Sequence, residues 1–149
     1  MKICLIASSG GHYEQLLMLD KLARTFDVFF VTEKTTYSKP AGQTYYLKQV
    51  NRKEPLAGFY LLSIICQTLY IFFKEKPDAI ISTGVLSAIP MMMLGKLWGK
   101  KIIYIESFAK IASPTKTGKL IYKFSDIFII QWEGLKVFYP DAIYLGSIY

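Results

Sequence analysis

The sequence predicts an α/β fold with a Rossmann-like, doubly wound parallel sheet. Short apolar runs rich in β-branched and aromatic residues alternate with longer segments of helical character along the 149 residues. The apolar runs are continuous rather than alternating, which is typical of strands covered by helices on both faces. Because no internal repeat or low-complexity linker interrupts this order, we expect one domain over residues 1–149.

The predicted elements follow one another as βαβ units. The predicted strands are Ile3–Ala7, Val28–Val31, Ala79–Ile81 and Ile102–Ile105, with weaker strands at Ile127–Ile130 and Ala142–Leu145. The predicted helices are Tyr13–Arg24, Leu56–Lys74 and Ser87–Trp98. Pro77 ends the second helix, and Gly99 turns the third helix into the next strand.

The segment Pro55–Phe73 is ambiguous, because its nineteen residues carry no charge and approach the length of a membrane span. A helix would place its polar residues on one narrow stripe, formed by Tyr60, Ser63, Gln67, Tyr70 and Lys74. This stripe favours a helix buried against the sheet. A helix that also meets a membrane or another protein, and a true span, remain open alternatives.

The composition excludes several classes of protein. Hydrophobic residues make up 52% of the chain, which rules out a disordered or fibrous protein. The net charge of +7 favours anionic partners, but sixteen of the eighteen cations are lysine and no nucleic-acid-binding motif is present, so we expect no nucleic acid. Cys4 and Cys66 lie in apolar runs without metal-ligand spacing. We therefore expect two reduced core cysteines, no metal site and, without signal-peptide features, no export.

The first strand leads into the motif Ser8-Ser9-Gly10-Gly11-His12 before a helix. Doubly wound proteins bind ligands at the carboxyl ends of their strands, and the start of a helix suits a phosphate. Ser9, Gly10 and Gly11 are therefore candidate ligands of a phosphate or diphosphate, although glycines also serve simply to make a turn. His12, the only histidine, is a candidate general base or a plain hydrogen-bond partner.

Two further loops are expected at the same edge of the sheet. Candidate binding residues in these loops are Ser82, Thr83, Gly84, Ser107 and Lys110. Glu106 directly follows a predicted strand and is the competing candidate for the base, or else a helix cap or an orienting group. The segment Thr115–Lys119 adds hydroxyl groups and cations in what we expect to be a loop.

Four motifs together carry a family resemblance: SSGGHYEQL, PDAIISTG, KIIYIESFAK and FYPDAIYLGSIY, in that order. The sequence resembles the lipid-acceptor subunit of the two-subunit GT-B glycosyltransferases of oligosaccharide and capsular polysaccharide biosynthesis. It is also similar to the amino-terminal half of the glycosyltransferase that forms lipid II. The resemblance covers almost the whole chain and implies the amino-terminal, acceptor-binding half of a GT-B fold.

The resemblance also implies a reaction and its partners. A separate donor-binding subunit would bring a UDP-sugar to a polyprenyl diphosphate-linked saccharide, with inversion and without cofactor or metal, at the cytoplasmic face of a membrane to which the chain attaches peripherally. The chain alone would be inactive. Trp132, Phe138 and Tyr149 are expected at the interface between the subunits. The alternatives are a non-catalytic membrane scaffold that recruits another glycosyltransferase, and a flavodoxin-like binder of a nucleotide or flavin.

Overall fold

The computed structural model describes residues 1–35, 42–47, 57–84 and 86–148. Its seven strands are β1 Lys2–Ile6, β2 Asp27–Glu33, β3 Thr44–Leu47, β4 Ala79–Ser82, β5 Lys101–Ile105, β6 Ile127–Ile130 and β7 Ile143–Tyr144. They form one sheet in the order β3-β2-β1-β4-β5-β6-β7, and every neighbouring pair is parallel. The predicted Rossmann-like fold is therefore confirmed.

The helices are α1 Gly11–Leu17, α2 Ala57–Glu75, α3 Ala88–Leu97 and α4 Lys116–Ile121, with 3-10 helices at Asp20–Arg24 and Glu133–Val137. The prediction of one continuous helix over Tyr13–Arg24 is wrong, because α1 ends at Leu17 and a 3-10 turn follows. The prediction of a loop at Thr115–Lys119 is also wrong, because Thr115 caps the start of α4.

The strand β3 is absent from the sequence prediction. Its four residues, Thr44–Leu47, are too few and too mixed in polarity to show a strand pattern. Pairing with β2, from Phe30 opposite Thr44 to Glu33 opposite Leu47, decides its conformation. A tertiary contact therefore supplies what the local pattern lacks.

Both faces of the sheet are covered, which explains the continuous apolar runs. One face packs against α2, α3 and α4 through residues such as Ile64, Met91 and Ile121. The other face packs against α1 and the first 3-10 helix through Tyr13, Leu16 and Leu22. Cys4 is buried in the core on the α2, α3 and α4 face, as expected. Cys66 is exposed on α2, so the prediction that it lies in the core is wrong. The helical period turns that position away from the sheet.

The helix α2 accounts for most of the ambiguous apolar segment. Pro55 and Leu56 lie outside the described residues, and α2 continues to Glu75, whose carboxylate is buried. The Lys2 ammonium lies 2.6 Å from this carboxylate and hydrogen-bonds to it, and with Tyr45 it lowers the pKa of Glu75. Within the described part of the chain, no helix has the length and apolarity that a membrane crossing requires.

Candidate functional site

Two glycine-containing loops meet where the strand order reverses. The loop after β1 and the loop after β4 leave adjacent strands whose chains then run to opposite sides of the sheet. Gly10 and Gly84 have φ angles of +82° and +125°, a conformation that residues with a side chain rarely adopt. Ligands of doubly wound proteins bind at this position of the sheet, so these loops lie where a ligand site is expected.

His12 lies on the first turn of α1 and faces the loop after β4. Its Nδ1 lies 2.8 Å from the carbonyl oxygen of Thr83, while the Thr83 hydroxyl donates to the carbonyl of His12 over 2.7 Å. Because a carbonyl only accepts, Nδ1 donates to it, and in the neutral tautomer with this proton Nε2 is an acceptor. A Cβ at Gly84 would lie 3.0 Å from the ring, so glycine leaves room for it.

The His12 ring lines a crevice of about 250 Å³. Its walls are formed by Ser8, His12, Gly84, Leu86, Tyr104, Thr115 and Thr117. Four hydroxyl side chains and the imidazole therefore surround a space that is open to solvent. Within the described residues, Nε2 of His12 has no hydrogen-bond partner. The crevice thus combines a hydrogen-bond acceptor on the imidazole with hydroxyl groups that can contact a polar ligand.

Glu106 is fully buried and its carboxylate is saturated with donors. Oε1 accepts from the Ser107 N–H at 2.8 Å and from the Thr115 hydroxyl at 2.9 Å. Oε2 accepts from the Thr115 N–H at 3.2 Å and from the Tyr139 hydroxyl at 2.7 Å. Burial, together with Glu106, raises the pKa of Tyr139, so the phenol stays protonated and donates.

Close approach of α4 completes this cluster. A Cβ at Gly118 would lie 2.2 Å from Oε2 of Glu106 and 2.6 Å from the Tyr139 hydroxyl. The Gly118 N–H donates to the Thr115 hydroxyl over 2.7 Å, which caps α4. Glycine inside a helix normally weakens it by about 1 kcal/mol, and this is why the sequence pattern hides α4. The space for Glu106 requires that glycine.

Gln131 connects this cluster to two other parts of the molecule. Its amide donates to the carbonyl of Glu106 over 2.8 Å and to the side chain of Gln15 on α1 over 3.3 Å. Its oxygen accepts from the backbone N–H of Ile148 over 3.0 Å. Both glutamine side chains are buried, so this network fixes α1, the third loop and the last described residues relative to one another.

The other predicted binding residues divide into three groups. Gly84 lines the crevice, whereas Ser82 and Thr83 are buried and hold the turn, with the Ser82 hydroxyl accepting from Gly84. Ser107 is buried beside Glu106. The remaining predicted residues are partly or fully exposed at the loop surfaces and do not line the crevice: Ser9, Gly10, Gly11 and Lys110.

Four polar crevice residues are missing from the predicted site. Ser8 is adjacent to the predicted Ser9, and Thr115 and Thr117 lie in a segment whose hydroxyl groups are visible in the sequence. Tyr104 lies within β5, and only the packing of α4 over that strand brings its hydroxyl to 3.4 Å from Thr115. No local signal identifies a strand tyrosine of this kind.

Glu33 at the end of β2 is a further carboxylate at this edge of the sheet that sequence reasoning missed. The Ser87 hydroxyl donates to it over 3.3 Å at the start of α3. Burial raises the pKa of Glu33, and the hydrogen bond from Ser87 partly opposes this shift. Its position after a strand is the signal that would have identified it.

The three predicted interface residues have different environments. Phe138 is 43% exposed beside the more exposed Val137. Trp132 is half-buried, and its indole N–H donates to the carbonyl of Phe108 over 2.7 Å. Tyr149 lies outside the described residues.

An apolar groove of about 400 Å³ lies between α2 and α3. Its lining residues are Ile65, Thr68, Leu69, Leu86, Ile89, Pro90, Met93, Leu94 and Leu97. Thr68 is the one polar residue among them, and its hydroxyl is buried without a hydrogen-bond partner in the described residues. Leu86 lines both this groove and the crevice of His12.

Comparison with known proteins identifies relatives of this chain. Residues 47–148 match the sequence model described as oligosaccharide biosynthesis protein Alg14 like. The protein named UDP-N-acetylglucosamine transferase subunit ALG14 is 27% identical in Homo sapiens, over 99% of this chain and 83% of the relative. The protein of that name in Rattus norvegicus is 33% identical over 70% of this chain and 54% of the relative.

Solved structures share the fold at low sequence identity. MurG of Acinetobacter baumannii superimposes with a TM-score of 0.69 and 17% identity, over 89% of this chain and 42% of that one. A UDP-N-acetylglucosamine 2-epimerase from Rickettsia bellii gives a TM-score of 0.76 and 15% identity, over 99% of this chain and 45% of that one. The chain thus spans less than half of each of these structures.

Proposed function

The chain belongs to the Alg14-like family of oligosaccharide biosynthesis proteins, and from this membership we propose that it is the acceptor-binding subunit of a split, inverting glycosyltransferase. The acceptor is a saccharide linked to a polyprenyl diphosphate, and the donor is a UDP-sugar bound by a separate subunit. The names of the human and rat relatives favour UDP-N-acetylglucosamine as donor. A role in capsule or exopolysaccharide synthesis is one setting for this reaction.

The observation that carries the proposal is the hydrogen bond between His12 and the Thr83 carbonyl beside the crevice. With the proton held on Nδ1 by the Thr83 carbonyl at 2.8 Å, Nε2 accepts the proton of the acceptor hydroxyl. The hydroxyl oxygen then bonds to the anomeric carbon, whose bond to the diphosphate breaks. The electron pair leaves with UDP, which the partner subunit stabilises.

We assign different roles to the remaining polar residues of the site. The hydroxyl groups of Ser8 and Thr117 orient the acceptor saccharide, because both residues line the crevice. Ser9, Gly10, Gly11 and Lys110 hold the diphosphate at the crevice rim. Ser82, Thr83 and Ser107 act by shaping their loops. Glu106 acts as a positioning residue, since its four hydrogen bonds leave no capacity for a substrate proton.

The partner interface is proposed along the edge of the sheet formed by β7. Leu145 is 76% exposed and Val137 is 83% exposed, next to Phe138 and Ile143. Exposed apolar side chains grouped at one edge are typical of a protein interface. Leu145→Asp should weaken assembly with the donor subunit without unfolding the chain, because Leu145 lies outside the core.

Peripheral membrane attachment is proposed through α2 and α3. Phe73 and Trp98 pack edge to face with ring centroids 5.4 Å apart, and Leu97 and Tyr70 are exposed nearby on the same helices. Lys74 lies 5.7 Å from the Tyr70 ring and supplies a cation at this surface. Aromatic residues and lysine together suit the headgroup region of a membrane. Arg52 and Lys53 lie outside the described residues.

A reconstitution experiment tests the proposed function. The chain is used to capture its donor-binding partner, and transfer from labelled UDP-N-acetylglucosamine to a polyprenyl diphosphate-linked saccharide is measured. We expect no product with either protein alone and product with both. Robust transfer by the isolated chain would contradict a split enzyme. Full activity of a complex that carries both His12→Ala and Glu106→Ala would favour the alternative function, a non-catalytic membrane scaffold that recruits another glycosyltransferase.

A further inference from the structure

The groove between α2 and α3 has the chemistry of a lipid site. Ile65 and Leu69 line it from α2, and Ile89, Met93 and Leu97 line it from α3. The two helices pack against each other, so the groove is a partly open cleft bounded by both of them. Ligand sites are concave and mostly apolar with volumes of roughly 300 to 1,000 Å³, a range that includes this groove.

The groove adjoins the crevice of His12. Leu86 lines both, just before α3 begins at Ala88. The groove runs along α3 from Ile89 to Leu97. The helix α3 has ten residues and is therefore about 15 Å long. An apolar channel that ends beside an imidazole and several hydroxyl groups suits a ligand with an apolar tail and a polar head.

We propose that this groove binds the first isoprene units of the acceptor, so that the polyprenyl chain lies along α3 while the diphosphate and saccharide enter the crevice. This inference rests on the proposed function and adds a binding site for the polyprenyl chain of the acceptor. It assigns Met93 and Leu86 to substrate positioning. The chain length of the acceptor would then be read by the protein and not only by the bilayer.

Other occupants fit the groove less well. Among the described residues that line the groove, the only side-chain hydrogen-bond partner for a saccharide is the buried hydroxyl of Thr68. A further helix, about 10 Å across, would contact the cleft mainly through its exposed rim residues, whereas an isoprenoid chain is much narrower. A bilayer would likewise contact the exposed rim at Leu97 and Trp98. A single isoprenoid chain is narrow enough to enter and apolar along its length.

The test uses a farnesyl diphosphate bearing a photoreactive diazirine on its chain. After irradiation with the full-length chain, we expect labelled peptides from α2 and α3, and protection by unlabelled farnesyl diphosphate but not by inorganic diphosphate. Met93→Trp fills the groove and should weaken probe binding about tenfold or more. Met18→Trp is the matched control, because Met18 is 47% exposed and Met93 is 50% exposed.

Vesicles separate this site from a membrane-docking face. Tryptophan keeps the surface apolar, so Met93→Trp should still bind vesicles that contain phosphatidylglycerol. Probe binding that survives Met93→Trp, or labelling outside α2 and α3, would contradict the proposal that the groove binds the polyprenyl chain. The binding assay needs no transfer, so its failure differs from failure of the reconstituted reaction. In the complex, Met93→Trp should raise KM for long-chain acceptors more than for short-chain ones.

Discussion

The surroundings of His12 and of Glu106 differ although both side chains follow strands at the same edge of the sheet. His12 is half-buried, lines the crevice and has one ring nitrogen fixed by the Thr83 carbonyl. Glu106 is fully buried and accepts four hydrogen bonds, two from backbone N–H groups and two from hydroxyl groups. The histidine thus retains an acceptor for a substrate, whereas the carboxylate does not.

This difference teaches that position at a strand end is not sufficient to assign a catalytic role. A side chain there is used in chemistry only if the fold leaves part of its hydrogen-bonding capacity open. Where the fold fills that capacity, the same residue type stabilises the loops around the site. The following predictions test this distinction, beginning with the largest expected effect.

Replacement of His12 by alanine should abolish most transfer by the assembled enzyme. Loss of a general base typically lowers turnover by about 10²- to 10⁴-fold. Turnover of the complex should be measured against pH, because removal of the base should also flatten the acidic limb of the profile. Thermal unfolding of the variant serves as the folding control. Turnover within about twofold of wild type, with the fold intact, would exclude His12 as the base.

Replacement of Glu106 by glutamine should lower the stability of the fold. Any loss of activity should follow from this loss of stability. The glutamine NH₂ group would face donors that now bind a carboxylate oxygen, so at least one donor loses its acceptor. The expected loss is about 2 to 3 kcal/mol in the free energy of unfolding, measured by urea denaturation. A variant of unchanged stability that has lost turnover and its acidic limb would reverse the roles of Glu106 and His12.

Replacement of Gly118 by alanine should disturb the Glu106 cluster without removing any polar group. The added methyl group would lie 2.2 Å from Oε2 of Glu106, and the cost of such overpacking is about 1 to 3 kcal/mol. Gly134→Ala is the matched control, because its nearest atom would be 4.0 Å away. Equal unfolding free energies for the two variants would show that α4 shifts freely away from Glu106.

Glu33 should give the smallest effect, seen in the pH dependence of stability. Burial raises its pKa in the folded state above the ordinary value of 4.5, so the folded protein binds more protons than the unfolded chain between the two values. Stability should therefore fall as pH rises through that window. Glu33→Gln should lack this part of the fall. A difference between wild type and variant that is independent of pH would contradict the assignment.

Much of the fold could be predicted because its determinants are local. The run Ile127–Ile130 matches β6 at both ends, and the runs that predict β1, β2, β4 and β5 agree with the structure within two residues at each end. Continuous β-branched sequence is sufficient here, since buried strands need apolar side chains on both faces. The glycines of the first two loops were also informative, because a positive φ at Gly10 and Gly84 leaves few alternatives.

The roles within the site depend on contacts between residues distant in the sequence. Thr83 fixes the proton of His12 from 71 positions away, and Tyr139 fills the last acceptor site of Glu106 from 33 positions away. The sequence by itself determined the sheet, the loops at its carboxyl edge and the residue types available there. Only the tertiary structure decided which of those side chains stays open to a ligand, because hydrogen-bonding capacity is filled by whatever the fold brings within about 3 Å.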